Sequence, residues 1–481
     1  MTQNLVQRSA GALALFAVLA ALLGGCHSKP KRPLNVLLLV VDTLRSDRLG
    51  CYGYPRPTSP NIDKLAAGGT LYENNYSQAC WTVPSMISML SGVSVTKDEL
   101  AMPSSIPVLA EVLAKHGMET AAFPANEVLG HQRGFERGFQ TWSEAPNADA
   151  LELARRFTDW HQNRAGAAQG QSPRPWFAWM QFIDPHQPYE PKPEHNIFHG
   201  PRPDQEHVAA RWQAADAEAR ASSPNLAGLS LDDAIEMMTS KSNLYDGEVL
   251  AVDDGVGRVL DCLRAAGELE QTLVILVSDH GEMLFEHRVQ PYLVKDKIDT
   301  SGGLPEGVAN LFGNGHRPWY FENLWNTPMI LAGPGVPQGL RVSTLSANLD
   351  VYPTVLEALD LARAPWLEGE SLFGGAKTQR ERVLAYGHFT SAVREKSGLK
   401  MIAHPRRLYL LDGEGDGPQD LYDLERDPYE EESIDAKRPQ DVVRIRAEIF
   451  AWKERCDREA VLTSTPAQQE ALRAMGYVDI K

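Results

Sequence analysis

Residues 35–41, NVLLLVV, form an unbroken apolar run that ends in Asp42. This is the pattern of a strand buried on both faces of a parallel sheet, with the carboxylate at its carboxyl end. Similar runs at 120–123, 176–182, 272–277 and 329–332 predict further strands. Between several of them the apolar positions recur at helical spacing, as in 106–116, closed by Gly117, and 244–266, closed by Gly267. Strands alternating with helices predict a doubly wound α/β sheet, whose ligands gather outside the carboxyl ends of the strands, and this places Asp42, Asp184 and Asp279 near one edge. Two stretches break the alternation, 191–240 and 284–314, the latter with a Gly/Pro-rich centre at 301–307; loops of that length read as functional covers or disordered insertions. Beyond residue 367 the pattern loosens into a short strand at 383–386, a turn-rich 412–417 and a charged helix at 441–457, which predicts a catalytic unit over 34–367 and a smaller C-terminal α+β subdomain over 368–481.

The amino terminus has a different character. Arg8, the apolar run 10–23 and the sequence LGGC at 23–26 read as a signal peptide, residues 1–25, whose end resembles a bacterial lipobox, which implies acylation of the Cys that follows. The expectation is a bacterial, lipid-anchored, extracytoplasmic protein, held to the membrane through lipidated Cys26 with 26–33 as tether; His27, by resemblance to bacterial lipoproteins, points to the outer membrane rather than the periplasmic face of the inner one. An ordinary secretory signal or an uncleaved anchor are the alternatives. With 481 residues, 43% hydrophobic and 23% charged, the chain can bury a large core, which excludes a disordered tail or a disulfide-stapled miniprotein. A formal charge of -16, from 47 Lys+Arg against 63 Asp+Glu, repels phosphate backbones and excludes nucleic acid as a partner. Cys51, Cys80, Cys262 and Cys456 sit in a compartment that permits disulfides, but buried thiols serve equally well as small hydrophobes, and no pairing follows from the sequence.

Two short segments carry the chemistry. Thr82-Val-Pro-Ser85 precedes a predicted helix over 85–91, so the Thr82 hydroxyl stands by a helix N-terminus, where free N–H groups favour an anion; a plain helix cap is the alternative. Ser278-Asp-His-Gly-Glu282 leaves the sheet directly after the strand at 272–277. With Asp42 it supplies two carboxylates and an imidazole, a donor set for one divalent metal whose further ligand is the Thr82 oxygen. A metal there lowers the hydroxyl pKa and makes it a nucleophile.

Taken together, the segments 35–45, 58–66, 81–85, 184–189, 244–248, 278–282 and 420–424 resemble, in order along the chain, those of the sulfatase family of the alkaline-phosphatase superfamily. The resemblance implies a large mixed, mostly parallel sheet sandwiched by helices, then a small antiparallel C-terminal sheet. It also implies a metal set of Asp42, Thr82, Asp279 and His280. His186 falls at the family's position for contacting the ester or protonating the leaving group, and His316 with Arg317 at the position for clamping its oxygens; Asn126 and His287 are further candidates. Asp63, in Pro60-Asn-Ile-Asp63, reads as a structural residue at a helix start.

The departures carry as much information. Sulfatases open their C/S-x-P-S-R signature with a Cys or Ser that is oxidised to formylglycine; here that position is Thr82, and the closing Arg is Met86. Cys80 cannot substitute, because the Pro would then have to stand where Thr82 is. Formylglycine hydrate expels sulfate by collapsing to an aldehyde, an exit threonine lacks, so a Thr-linked intermediate must be broken by attack at the central atom. That is ordinary chemistry for phosphoryl groups and hard for sulfuryl groups. Thr82 resembles the nucleophiles of phosphoethanolamine and glycerol-phosphate transferases and some phosphodiesterases. A second acid adjacent to the first, frequent in sulfatases, is Thr43 here, which favours manganese, zinc or magnesium over calcium. The expectation is a metal-dependent hydrolase or transferase acting on phosphate or sulfate esters of a small molecule, glycan or lipid headgroup. A true sulfatase and a non-catalytic glycan- or lipid-binding lipoprotein are the rivals.

Overall fold

The computed structural model describes residues 34–95, 101–167, 174–222, 230–288, 312–316, 319–387, 390–405 and 416–463. Residues 1–33, with the signal peptide, Cys26 and the tether, lie outside them, as does Arg317.

The strands of the main sheet are β1 (Asn35–Val41), β2 (Gly69–Tyr76), β3 (Glu119–Pro124), β4 (Thr141–Trp142), β5 (Trp176–Phe182) and β6 (Thr272–Ser278). After a hairpin of β7 (Met283–Arg288) and β8 (Phe312–Gly315), β9 (Met329–Ala332) and β10 (Leu340–Ala347) complete it. The spatial order is β10-β2-β9-β6-β1-β5-β3-β4, and β9 alone among these runs against its neighbours. This is the mixed, mostly parallel sheet implied above.

The continuous apolar runs are explained by cover on both faces. Val36, Leu38 and Val40 of β1 pack on one side with Val83, Met86 and Ile87 of the helix α1 (Thr82–Ser91). Leu37, Leu39 and Val41 pack on the other with Leu153 and Phe157 of α2 (Ala150–Ala167) and with Val249, Val252 and Val256 of the long helix α3 (Leu231–Ala265). At about 25 cal/mol per Å² of apolar surface removed from water, a two-sided core of this kind is the main source of stability. A separate antiparallel sheet follows, β11 (Arg382–Gly387), β12 (Thr390–Glu395), β13 (Leu399–Pro405) and β14 (Asp416–Asp423), with the helix α4 (Pro439–Thr463) on one face through Ile445 and Ile449. The buried Lys400 of β13 pairs with Glu430 at 2.6 Å and with Glu322, at the start of the short helix Glu322–Trp325 that precedes β9, at 3.0 Å, so an ion pair as well as an apolar contact ties the second sheet to the main unit.

Three expectations are corrected. The stretch 191–240 is not a bare loop: it contains a helix, Gln205–Ser222, and the first turns of α3, which begins at Leu231 rather than 244. The helix after Trp81 begins at Thr82 itself, three residues earlier than the pattern suggests. The strands β2 and β10 are additions to the predicted set. Of the segment 284–314, residues 289–311 lie outside the described residues, and the remainder is the β7–β8 hairpin.

Candidate active site

The carboxyl ends of β1 and β6, which pair in register from Asn35 with Thr272 to Val41 with Ser278, deliver Asp42 and Asp279-His280 side by side. All three are completely buried. Asp42 Oδ2 accepts hydrogen bonds from Asn126 Nδ2 at 2.7 Å and Gln181 Nε2 at 3.0 Å. Asp279 Oδ1 accepts from the backbone N–H of His280 at 2.8 Å and of Thr43 at 3.2 Å. The second of these contacts depends on a turn in which Thr43 takes φ 55, a conformation costly for a β-branched residue, and the Tyr245 hydroxyl donates to the Thr43 carbonyl at 2.7 Å to hold it there.

Each carboxylate is thus anchored by one oxygen and keeps the other free: Asp42 Oδ1 and Asp279 Oδ2 are buried without a hydrogen-bond partner. His280 Nδ1–H donates to the Gly281 carbonyl at 2.9 Å, which fixes the tautomer and leaves the Nε2 lone pair facing Asp42 Oδ1 at 3.6 Å and Asp279 Oδ2 at 3.5 Å. Ligand atoms of Asp42, Asp279 and His280 lie within 4.8 Å of one another. Two orphaned carboxylate oxygens and an oriented imidazole nitrogen converging in a buried site fit one divalent cation.

Electrostatics agree with that fit. Burial, with the Asp279 charge beside it, pushes Asp42 up to about 6; burial pushes Asp279 up to about 7. Burial, reinforced by His316, pushes His280 down to about 3, so it is the neutral imidazole a metal requires.

Thr82, at the first position of α1, points its hydroxyl into this cluster. Oγ1 lies 3.4 Å from His280 Nε2 and donates to Asp42 Oδ2 at 3.5 Å. Ser85, one turn on, donates to the Asp279 carbonyl at 2.7 Å and braces the helix end against the loop that carries Asp279 and His280. Met86 faces the other way, fully buried in the apolar core, and brings no polar atom to the site.

A cavity of about 730 Å³ opens over Thr82, lined among others by Trp81, Asn126, His186 and His316. The ring of His316 is 4.5 Å from that of His280 and 4.9 Å from that of His186, centroid to centroid, so three histidines form one cluster beside the hydroxyl. His186 Nδ1–H donates to the Gln187 carbonyl at 2.6 Å. Burial opposes charge on His186, but the facing carboxylates of Asp42, Glu282 and Asp279, helped by that hydrogen bond, raise its pKa. His316 Nδ1 lies 3.3 Å from the buried Glu282 Oε1, whose carboxyl burial raises to about 7.

His287 does not join this cluster: it is stacked flat on Phe321 at 3.8 Å and is absent from the cavity wall, so its role is packing. Asp63 is structural as expected, accepting from the Cys51 N–H at 2.7 Å and the Ser59 hydroxyl at 2.9 Å. Gln181 and Glu282 are the participants that sequence reasoning missed; the signal for Gln181 was a lone amide in a strand otherwise buried and apolar.

A family model for sulfatases matches residues 34–361. The chain belongs to the sulfatase family. Among sulfatase relatives it is 24% identical over 457 residues to the choline-sulfatase of Rhizobium meliloti, covering 82% of this chain and 81% of that one. It is 26% identical over 391 residues to human arylsulfatase A, covering 76% and 72%. Solved structures share the fold. One, in complex with its substrate D-glucosamine-2-N,6-O-disulfate, superposes with a TM-score of 0.66 at 18% identity over 88% of this chain and 98% of that one. The phosphonate monoester hydrolase of Agrobacterium radiobacter gives 0.61 at 19% identity over 88% and 95%. Within this sulfatase-family site, then, the residue that presents its side-chain oxygen to the acidic cluster is a threonine.

Proposed function

We propose that this sulfatase-family hydrolase is a metal-dependent phosphoesterase or phosphotransferase in which Thr82 is the nucleophile. The observation that carries the reading is the Thr82 hydroxyl, held within 3.5 Å of both Asp42 and His280 at a helix N-terminus. Threonine cannot become formylglycine, so the group it accepts has to leave by a second attack at the central atom, which phosphorus permits far more readily than sulfur. The phosphonate monoester hydrolase fold neighbour is in keeping with a phosphorus centre in this architecture.

Asp42, Asp279 and His280 would hold one divalent ion, with the Thr82 oxygen as a further ligand; Thr43 in place of a second acid favours manganese, zinc or magnesium. Such an ion lowers the hydroxyl pKa and polarises the ester oxygens. The chain supplies the rest. Asp42 Oδ2 receives the Thr82 hydrogen bond and would take its proton as Thr82 Oγ1 attacks in line, one bond to phosphorus forming as that to the leaving oxygen breaks. His186, whose pKa the facing carboxylates raise against burial, would give its Nε2 proton to the leaving oxygen. His316, with Arg317 beside it in sequence, stabilises charge on the transferred group. Water then releases that group from Thr82, or an alcohol accepts it.

The test is a panel of nitrophenyl phosphate monoester, phosphodiester and sulfate with added manganese, zinc, magnesium or calcium. Metal-dependent phosphoester cleavage well above sulfate cleavage is the expected result; preferential sulfate cleavage would overturn the reading in favour of a true sulfatase. His186→Gln is expected to lower kcat by about 10²-fold on an alkyl phosphate, whose leaving group needs a proton, and by much less on the nitrophenyl ester, whose leaving group does not. Equal losses on both would remove the acid role.

A further inference from the structure

His186 stands inside the segment 184–190, Asp-Pro-His-Gln-Pro-Tyr-Glu, which follows β5 and forms part of the cavity wall. Both ends of that segment meet one side chain of α3. Glu248, buried, accepts from the Glu190 N–H through Oε1 at 2.6 Å, and its carboxyl hydrogen-bonds with that of Asp184. Asp184 also accepts from the N–H of Ala150, the first residue of α2, at 2.8 Å. Around this clamp the chain lies close on α3. The Tyr189 ring stands edge-on to that of Tyr245, with centroids 5.6 Å apart, and a Cβ at Gly247 would come within 2.8 Å of the Pro191 ring. The helix α3 is itself fixed to β1 through Val249, Val252 and Val256, and its Tyr245 holds the Thr43 turn beside Asp279. The segment that carries His186 and the strand that leads to Asp42 are therefore referenced to the same helix.

Two carboxyl groups hydrogen-bond to each other only with a proton between them; as two carboxylates they repel. Burial, with the Asp184 charge beside it, pushes Glu248 up to about 8, while burial pushes Asp184 up to about 6, so at neutral pH the proton belongs to Glu248. Glu190, Asp149 and Lys192 also bear on the pair, the last two joined to each other at 2.7 Å. Glu248 is thus a donor to Asp184 and an acceptor from Glu190, with one bond to each end of the segment between them. Resting on the reading of His186 as the acid, we propose that Glu248 is its positioning residue, clamping both ends of segment 184–190 to α3 and so holding the imidazole at the leaving oxygen.

Two variants of the full metal-loaded chain test this: Glu248→Ala, which removes both bonds, and the isosteric Glu248→Gln, whose amide still donates to Asp184 and accepts from Glu190. Both are compared with His186→Gln on an alkyl phosphate and on the nitrophenyl ester. Glu248→Ala is expected to lower kcat about tenfold or more on the alkyl phosphate and about threefold or less on the nitrophenyl ester, and Glu248→Gln to restore both to within about threefold of the parent. A second readout is independent of turnover. In chain carrying isotope-labelled histidine and loaded with zinc or magnesium, the Cε1–H resonance of His186, assigned by its absence in His186→Gln, is expected to move in Glu248→Ala and to keep its place in Glu248→Gln. An unmoved resonance in Glu248→Ala would overturn the inference, as would a Glu248→Gln variant as impaired as Glu248→Ala. Equal losses on the two esters in Glu248→Ala, beside unequal losses in His186→Gln, would also overturn it, yet leave His186 as the acid. A resonance moved by alanine and restored by glutamine, with equal losses in His186→Gln, would do the opposite, retaining the clamp and removing the acid role.

Discussion

Thr82→Ala is expected to lower kcat on a phosphate ester by about 10³-fold or more, while Thr82→Ser retains turnover within about tenfold of the parent. The asymmetry follows from the geometry. The Thr82 oxygen is the hydroxyl that sits beside both His280 Nε2 and Asp42 Oδ2, and alanine leaves the space without a nucleophile. Serine restores the oxygen but loses the β-branch that limits its χ1 rotation, so a modest penalty for orientation is expected. Because Ser85 and the apolar residues Val83, Met86 and Ile87 hold α1 independently of the Thr82 side chain, the alanine variant should fold normally. Stopped-flow or steady-state kinetics on the nitrophenyl ester, with metal content measured on the same samples, separates a lost nucleophile from a lost ion. Full activity in the alanine variant would eliminate Thr82 as the attacking group.

Removal of the metal is expected to abolish activity and to lower the melting temperature by several degrees, and the second effect should grow with pH. In the metal-free fold Asp42 and Asp279 have pKa values of about 6 and about 7, above the 3.8 of the unfolded chain. A folded-state value raised in this way means the native state binds more protons than the unfolded one across that interval. The metal-free protein therefore loses stability as pH rises from about 4 through about 7, when the two buried carboxyls must ionise close together. A divalent ion cancels that repulsion, so the rise in melting temperature on adding manganese or zinc should be small at pH 5 and large at pH 8. Calorimetric melts with and without chelator at the two pH values provide the check. A metal-induced increment that is larger at pH 5 would contradict the site; His280→Ala should shrink the increment at pH 8.

The strongest sequence signals came from segments whose local pattern and tertiary role coincide. A strand buried on both faces must be apolar throughout, so β1, β5 and β6 announced themselves, and the first polar residue beyond β1 and β6 had to lie at the sheet edge. That reasoning put Asp42 and Asp279 together, and β1 does pair with β6 from end to end. Strands β2 and β10 were not legible for the converse reason. GTLYENNY and LRVSTLSA mix polar and apolar residues because one is the sheet's edge and the other its neighbour, where cover is incomplete. The helix over 205–222 carries few periodic apolar residues, and among the described residues its apolar contact is through Val208 and Trp212, so no pattern marked it.

Site residues divided along the same line. Asp279-His280 share one turn and His186 a short loop, so each was visible as a motif. Gln181 was not, because its importance lies in register: β5 runs parallel to β1 with Gln181 opposite Val40, which brings its amide to Asp42. Glu282 becomes part of the site only because His316, 34 residues on, folds back against it across the β7–β8 pairing. His287 shows the reverse failure, a histidine of suitable type in a suitable region that is spent on stacking with Phe321. The chain's own order of residues determined the buried strands, the family's chemistry and the substitution of threonine for an oxidisable residue, since these depend on identity and near neighbours. Tertiary structure alone decided which carboxylate oxygens stay unpaired and which histidines meet at Thr82, because each is a property of side chains brought together from distant segments.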